Sequence, residues 1–254
     1  MESLPDLGEL ALILAAIAVG SFVKGVTGSG LPQIAVPVIA VFLGVERAVV
    51  IMAIPGIVTN TMMMWQHRAS VRETRDLPVL VGFGMVGSVL GTIGLARLDP
   101  AILSLTLAGV GALYVTLFLS RFEVRLSPRV TRYASPPVGL AAGMLQGSTG
   151  ISGPLLNTYL HAFRIGRSPF ILSIVTLFNL LALAQVAALV QLDLFTPNRL
   201  VESALALVPM LVFLPIGARF SARLSQQRFD RYLITLVSIS ALLLAWEGVT
   251  GLLG

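Results

Sequence analysis

The sequence predicts an all-α polytopic membrane protein made of two inverted-topology repeats, each with a broken or re-entrant helix pair plus three transmembrane helices. Three observations support this prediction: the composition, the lengths of the apolar segments and a repeated Gly-rich motif. Of the 254 residues, 56% are hydrophobic and 11% are charged, whereas soluble domains carry roughly 25% charged residues. A chain with so few charges cannot cover itself with a solvated surface, which excludes an ordinary soluble enzyme.

The residue types also exclude several kinds of chemistry. The chain has no Cys, which excludes disulfides, thiolate catalysis and Cys-based zinc sites. Its two His residues, His67 and His161, lie far apart in the sequence, so we expect no metal and no other cofactor. The net charge of +5 comes from basic residues in short gaps between apolar runs. This pattern differs from a basic soluble face, and we expect no nucleic-acid partner.

Apolar runs place the membrane-spanning helices. A spanning helix needs about 20 apolar residues, and runs of about that length occupy 48–66, 77–96, 101–120, 170–192 and 232–251. A sixth, shorter run covers 203–218. Two more regions, 9–44 and 136–163, are apolar but interrupted, and we expect each to form two separate helical pieces: 9–24 and 33–44, then 136–147 and 154–163.

The two interrupted regions match each other, which indicates an internal duplication. At an offset of 122, Gly25, Thr27, Gly28 and Pro32 correspond to Gly147, Thr149, Gly150 and Pro154. At an offset of 126, Gly91 and the segment 96–98 correspond to Gly217 and the segment 222–224. We therefore predict a single membrane domain over 1–254, with repeat one at about 8–120 and repeat two at about 136–252.

The distribution of Arg residues indicates how the two halves are oriented in the membrane, because cytoplasmic loops accumulate Lys and Arg. If each interrupted region enters the membrane and returns, thirteen of the sixteen Arg lie in the loops 67–76, 121–135, 164–168 and 219–231. If each were a single crossing, two of these basic loops would lie on opposite faces. The first arrangement is favoured and inverts the second half relative to the first. It predicts a multi-pass protein of the plasma (inner) membrane with both termini extracytoplasmic.

The N-terminal segment does not read as a cleavable signal peptide. It carries Glu2, Asp6 and Glu9, where a signal peptide needs positive charge. We therefore expect the first apolar segment to belong to the membrane domain.

The interruptions carry the residue types of an anion site. Backbone that leaves the helix at membrane depth must face protein or a water-filled cavity, and glycines permit the turns that this requires. Pro32 and Pro154 suit the first turn of a new helix. A helix N-terminus has free N–H groups and a partial positive charge. Two such helix starts that meet near the bilayer midplane therefore predict an anion-binding site.

Lys24 directly precedes the first interruption and has no obvious acidic neighbour in the sequence. A charge within the membrane costs at least ~2.5 kcal/mol and usually marks a transport pathway. Its counterpart in the second half is Gln146, so the predicted site is positive and favours a small anionic substrate. The candidate substrate-binding residues are Lys24, Thr27, Gly28, Ser29, Gly30, Gln33, Asn60, Gln146, Ser148, Thr149, Gly150, Ser152, Asn157 and Asn179, and Gln185 is a further candidate for a neutral hydrogen bond.

Ordinary structural explanations exist for the same features. Gly-rich interruptions can serve close helix packing alone, which is what the spacing of Gly87 and Gly91 indicates. Lys24 can extend its amine to the membrane surface or hold a structural hydrogen bond. Asn60 and Asn179 are equally explained as hydrogen bonds between helices.

The segment 24–37, repeated as 146–154, resembles the sulfite exporter TauE/SafE family of small, mostly prokaryotic, duplicated membrane proteins. The resemblance covers nearly the whole chain, including Gly91 to Leu98 and its repeat. It implies a carrier without an ATPase domain for small sulfur-containing or carboxylated anions, such as sulfite and sulfonates. Asn157 and Thr158 make the second interruption more polar here, so the resemblance implies the anion class rather than sulfite itself.

Together these features predict a secondary transporter for a small organic or sulfur-containing anion of the sulfite, sulfonate or carboxylate class. An anion channel of the same fold is the alternative, because both need the same midplane site. We expect no enzyme activity, since catalysis would need paired carboxylates or clustered His at membrane depth. The expected partners are the anionic substrate and the lipid bilayer, and the sequence indicates no particular oligomeric state.

Cysteine labelling tests the predicted topology cleanly, because the chain has no native Cys. In Ser3→Cys, the new thiol is expected to react with a membrane-impermeant reagent added outside intact cells. In Ser127→Cys, reaction is expected only after the membrane is permeabilised. Labelling of the Ser127 variant from outside, with protection of the Ser3 variant, would contradict the topology.

Overall fold

All regular secondary structure in the described part of the chain is helical. The computed structural model describes residues 6–27, 30–74, 76–120, 128–220 and 226–253, with side chains throughout except at 27, 128–129 and 226–233. The helices are α1 (Leu7–Thr27), α2 (Leu31–Leu43), α3 (Val45–His67), α4 (Leu77–Arg97), α5 (Pro100–Ser120), α6 (Pro128–Thr149), α7 (Gly153–His161), α8 (Arg167–Gln191), α9 (Pro197–Leu205), α10 (Leu207–Phe220) and α11 (Gln226–Leu253). A short 3₁₀ helix, Arg68–Glu73, follows α3.

Seven helical stretches of the described residues are long and apolar enough to cross a bilayer, which confirms the predicted multi-pass membrane class. They are Leu7–Val26, Val45–Glu73, Leu77–Arg97, Pro100–Ser120, Arg167–Gln191, Pro197–Phe220 and Ile234–Leu253. Six of them coincide with the six predicted apolar runs, and the first belongs to the first interrupted region. α2 is apolar but has 13 residues, which is too short for a span.

The first interruption separates α1 from α2 close to the predicted position. Gly30 precedes α2 with φ of 110°, a left-handed conformation that glycine adopts without steric cost. Pro32 lies in the first turn of α2, where no backbone donor is needed. A Cβ atom at Gly20 would lie 2.9 Å from the carbonyl oxygen of Leu31. The chain therefore turns back, and α2 begins directly beside α1.

The second interruption separates α6 from α7 in the same way. α6 ends at Thr149, and Gly150 follows with φ of 69°. α7 begins at Gly153 with Pro154 in its first turn. The backbone of both interruptions thus contains a glycine with positive φ and a proline in the first turn of the next helix, while Gly28, the counterpart of Gly150 in the repeat, lies outside the described residues.

α6 begins earlier than the sequence predicts. The expected helical piece begins at 136, but α6 begins at Pro128, so part of the predicted loop 121–135 is helical. That prediction was wrong because hydropathy identifies apolar segments and does not recognise a polar helical turn buried by protein. Thr131 and Ser135 are buried. The hydroxyl of Tyr159 donates to the Thr131 carbonyl oxygen at 3.1 Å and lies 2.8 Å from the Ser135 hydroxyl.

The helices α1 and α2 form a first helical hairpin, whose start and end lie close together. Arg47, just after α2, is 2.8 Å from the Glu9 carboxylate near the start of α1. In the second hairpin, the contact between Tyr159 and Thr131 likewise joins the end of α7 to the early part of α6. In each hairpin, the end of the second helix therefore lies near the start of the first.

α3 and α8 pack against each other in opposite directions. His67, at the end of α3, lies 3.0 Å from the hydroxyl of Ser168 at the start of α8. Arg199, beyond the end of α8, lies 2.7 Å from Glu46 at the start of α3. The two long helices are therefore antiparallel neighbours at the centre of the bundle.

Six further helices pack in pairs drawn from the two halves: α1 with α10, α4 with α6, and α5 with α11. Glycines allow the first two pairs to approach closely. In α1 and α10, a Cβ atom at Gly25 would overlap the carbonyl oxygen of Leu214, and one at Gly217 would overlap that of Phe22.

The α4–α6 pair uses the same kind of contact. A Cβ atom at Gly147 would overlap the carbonyl oxygen of Ser88, and one at Gly91 would overlap that of Met144. Close backbone approach at small residues is the usual basis of helix packing in membranes.

The α4–α6 contact predicts different effects for two alanine substitutions in one helix. Gly91→Ala should push α4 away from the Met144 backbone and lower stability by about 1–3 kcal/mol, the usual cost of overpacking. Gly82→Ala, whose Cβ meets nothing within 4 Å, should leave stability unchanged or raise it by up to about 1 kcal/mol through helix propensity. Melting temperatures of the two variants in one detergent test this, and equal values would contradict the packing.

Candidate functional site

A small cavity lies between the two interruptions and the α3–α8 pair. Of the described residues, its lining consists of Lys24, Gly30, Pro32, Gln33, Val49, Met52, Ala53, Gly56, Asn60, Gln146, Gly150, Ser152, Gly153, Phe178, Ala182 and Gln185. The cavity volume is about 40 Å³, a few times the roughly 10–15 Å³ that one water molecule requires. A ligand of a few heavy atoms matches this size.

Lys24 is the charged residue of this lining. It is 4% exposed, so its amine does not reach the surface of the protein. Its Nζ donates to Thr59 Oγ1 at 2.8 Å and to Asn60 Oδ1 at 2.7 Å. Both acceptors are neutral, and no carboxylate belongs to the described lining. An ammonium group has three N–H donors, so one remains for a ligand.

The second half places a neutral network at the corresponding position. Gln146 donates from Nε2 to Gln185 Oε1 at 3.2 Å and accepts at Oε1 from the Ser152 hydroxyl at 2.9 Å. The Gln185 amide also donates to the carbonyl oxygens of Gln146 and Gly147 at 2.8 and 3.2 Å. Side-chain amides thereby satisfy carbonyl groups at the end of α6 that lipid could not satisfy.

Two helix starts border the cavity. Neither α2 nor α7 has a side-chain hydrogen bond at its N-cap. The first helical hydrogen bonds run from Ile34 to Gly30 and from Leu156 to Ser152, and the amides before them have no partner within the helix. Such amides and the positive end of the helix dipole favour a bound anion.

Gln33 connects the two interruptions. Its side chain lies against the backbone of Gly153, where an added Cβ atom would overlap Gln33 Nε2. Gln33 is 4% exposed, and its Oε1 atom is buried without a hydrogen-bond partner. An unpartnered buried amide oxygen is costly, which makes Gln33 a candidate for direct contact with a ligand.

Seven of the predicted site residues meet in this lining: Lys24, Gly30, Gln33, Asn60, Gln146, Gly150 and Ser152. Gln185, predicted as a further hydrogen-bonding residue, lies with them. Gly28, Ser29 and the side chain of Thr27 lie outside the described residues.

Four predicted residues do not line this cavity, and their part in binding stays a prediction. The hydroxyls of Ser148 and Thr149 donate to carbonyl oxygens one turn earlier in α6, at 2.8 and 2.7 Å. Asn179 donates to Thr61 Oγ1 at 3.1 Å and thus links α8 to α3. Asn157 is half-buried in α7 and is absent from the described lining.

Sequence reasoning missed the apolar wall of the cavity. On α3 this wall continues from Asn60 through residues 56, 53, 52 and 49, and on α8 it holds Phe178 and Ala182 beside Gln185. Those positions recur every three or four residues and therefore share one helix face. The same spacing, extended along α3 from Asn60 and along α8 from Gln185, would have identified these wall positions.

A comparison with protein-family models gives a match to the model described as sulfite exporter TauE/SafE over residues 12–244. The chain belongs to the sulfite exporter TauE/SafE family. This is a family of membrane transporters for sulfur-containing anions. Neither the comparison with curated proteins nor the one with solved structures gives a match.

Within the described residues of this TauE/SafE protein, no group of three or more His, Asp or Glu side chains could hold a metal ion. The chemistry available in the cavity is hydrogen bonding from one ammonium group, several amides and a hydroxyl. Such a site can bind and release an oxyanion without a metal ligand.

Substitution of Lys24 tests whether the cavity binds an anion. In Lys24→Gln, loss of a charge-assisted hydrogen bond of about 1.5–3 kcal/mol should weaken binding of a small sulfonate by about one to two orders of magnitude. Lys24→Glu should abolish binding, because it reverses the charge of the cavity. Binding of methanesulfonate to the purified variants checks this, with melting temperature as the measure of folding.

Thr250→Ala is the matched control, because that exposed hydroxyl lies outside the described lining and bonds to its own helix. Its affinity should equal that of the wild type. Unchanged affinity in Lys24→Glu would remove the lysine from the site.

Proposed function

We propose that this chain is a secondary transporter that moves a small organic or sulfur-containing anion across the plasma membrane. The substrate belongs to the sulfite, sulfonate or carboxylate class and binds near the bilayer midplane between the two broken helices. One observation carries this proposal: Lys24 lies buried at a cavity with no carboxylate in the described lining.

The electrostatics of that cavity favour an anion. A buried charge is tolerated when an opposite charge and hydrogen bonds compensate it. Thr59 and Asn60 supply hydrogen bonds to Lys24 but no charge. A bound anion would supply the missing charge and would also accept hydrogen bonds from the amides at the starts of α2 and α7. When the anion leaves, water can enter the same cavity and solvate the ammonium group.

We further propose that the two halves are inverted repeats. The glycine contacts support this: Gly25 on Leu214 has its counterpart in Gly147 on Ser88, at the offsets of 122 and 126 that the sequence motifs show. The opposite directions of α3 and α8 also support it, because a two-fold axis perpendicular to both helices would exchange them. Inverted repeats with broken helices are a transporter architecture.

Alternating access would then require α3 and α8 to separate at one end at a time. The cavity would open first to one side of the membrane and then to the other. At one end, Arg47 and Arg199 join α3 to the α9 region through Glu202 and Glu46. At the other end, hydrogen bonds join His67 and Ser70 to Ser168. We place the ionic end and both termini on the extracytoplasmic face, in accordance with the distribution of Arg residues.

Transport in proteoliposomes tests this function. Purified wild type should take up sulfite or methanesulfonate with a saturable rate, and anion inside the vesicles should accelerate uptake, because a carrier returns faster when loaded. Lys24→Glu in matched vesicles is the control and should show no uptake. Flux that does not saturate and is not accelerated by internal anion would indicate a channel. No flux or binding with any sulfonate, sulfite or carboxylate would overturn the proposal.

A further inference from the structure

The two halves present different side chains at equivalent positions of the cavity. The first half has Lys24, whose Nζ contacts a hydroxyl and an amide oxygen. The second half has Gln146, whose side chain also contacts a hydroxyl and an amide oxygen, those of Ser152 and Gln185. The surroundings are alike, and the difference is one positive charge.

The helix ends add little to that charge. A helix carries about +0.5 charge at its N-terminus and about −0.5 at its C-terminus. At the first interruption α1 ends at Thr27 and α2 begins at Leu31, and at the second α6 ends at Thr149 and α7 begins at Gly153. Each interruption thus brings one negative and one positive helix end together. The pairs cancel in net charge and leave Lys24 to determine it, while the amides of α2 and α7 still orient the ligand.

We infer that the cavity selects anions with a single negative charge, and that the difference between Lys24 and Gln146 sets this selection. The inference rests on the proposed function and specifies its substrate class: monovalent oxyanions such as simple sulfonates, or sulfite in its singly protonated form. A dianion would leave one negative charge without a partner in a buried site, and an unpaired buried charge is strongly unfavourable.

The same geometry shows how the selection can be changed. A lysine at 146 would lie near Gln185 Oε1 and the Ser152 hydroxyl, which now contact the Gln146 amide at 3.2 and 2.9 Å. These are the kinds of acceptor that hold Lys24. Gln146→Lys would therefore give a cavity with two positive charges and should prefer a dianion.

Two ligands of nearly the same shape test the inference. Methanesulfonate carries one negative charge, and sulfate carries two at neutral pH. Wild type should bind methanesulfonate at least tenfold more tightly than sulfate, and Gln146→Lys should reverse the order. The exchange variant, Lys24→Gln with Gln146→Lys, has one charge in the other half and should restore the wild-type order. Gln146→Met removes the amide without adding charge, so it should bind both ligands more weakly and keep the wild-type order; a reversed order in this variant would contradict the role given to the added charge.

The outcomes separate the inference from the function on which it rests. Equal affinity of the wild type for the two ligands, or a Gln146→Lys variant that binds both in the wild-type ratio, would overturn the inference. Absence of binding of both ligands and of sulfite to the wild type would overturn the proposed function instead. If Gln146→Lys does not fold, the wild-type comparison at neutral pH decides, with selenate as a second dianion: affinity for sulfate or selenate equal to that for methanesulfonate would contradict the inference.

Discussion

Backbone hydrogen bonding inside the bilayer is the constraint on which the structure depends. Hydrocarbon offers no partner to a free N–H or C=O group, so two interrupted helices must be enclosed by protein. The glycine contacts of α1 with α10 and of α4 with α6 bring the enclosing helices close. The Gln185 amide then satisfies carbonyl groups of Gln146 and Gly147. The amides that remain at the helix starts border a cavity, so the same constraint produces the site.

The cavity combines a positive charge with neutral neighbours, and this combination would make the proposed anion binding reversible. A carboxylate beside Lys24 would satisfy its charge permanently and compete with an anionic ligand. Thr59 and Asn60 instead hold the ammonium group in place through neutral acceptors. The apolar residues Met52 and Phe178 complete the wall and limit the room to a small ligand. In the proposed function, the protein therefore holds the ammonium group in position and the substrate compensates its charge.

The central α3–α8 pair links this site to the two ends of the molecule. One end is held by ion pairs, including that of Arg47 with the buried Glu202 carboxylate, and the other by hydrogen bonds of Ser168 with His67 and Ser70. Breaking a buried ion pair leaves a charge uncompensated and costs more than breaking a neutral hydrogen bond. In the proposed alternating access, the two ends would therefore differ in the energy needed to open them.

The sequence by itself determined the membrane class, the spans and the two interruptions, because apolar length, glycine and proline act through local backbone geometry and transfer to lipid. It also singled out Lys24, since a charge in an apolar segment stands out without any structure. Only the tertiary structure decided that α6 begins at Pro128, that the hydroxyls of Ser148 and Thr149 bond within their own helix, and that Phe178 faces the cavity. The start of α6 depends on its burial by Tyr159 of α7, and the position of Phe178 depends on packing against the first half of the chain. Contacts between segments that are separated in the sequence leave no local pattern in the chain.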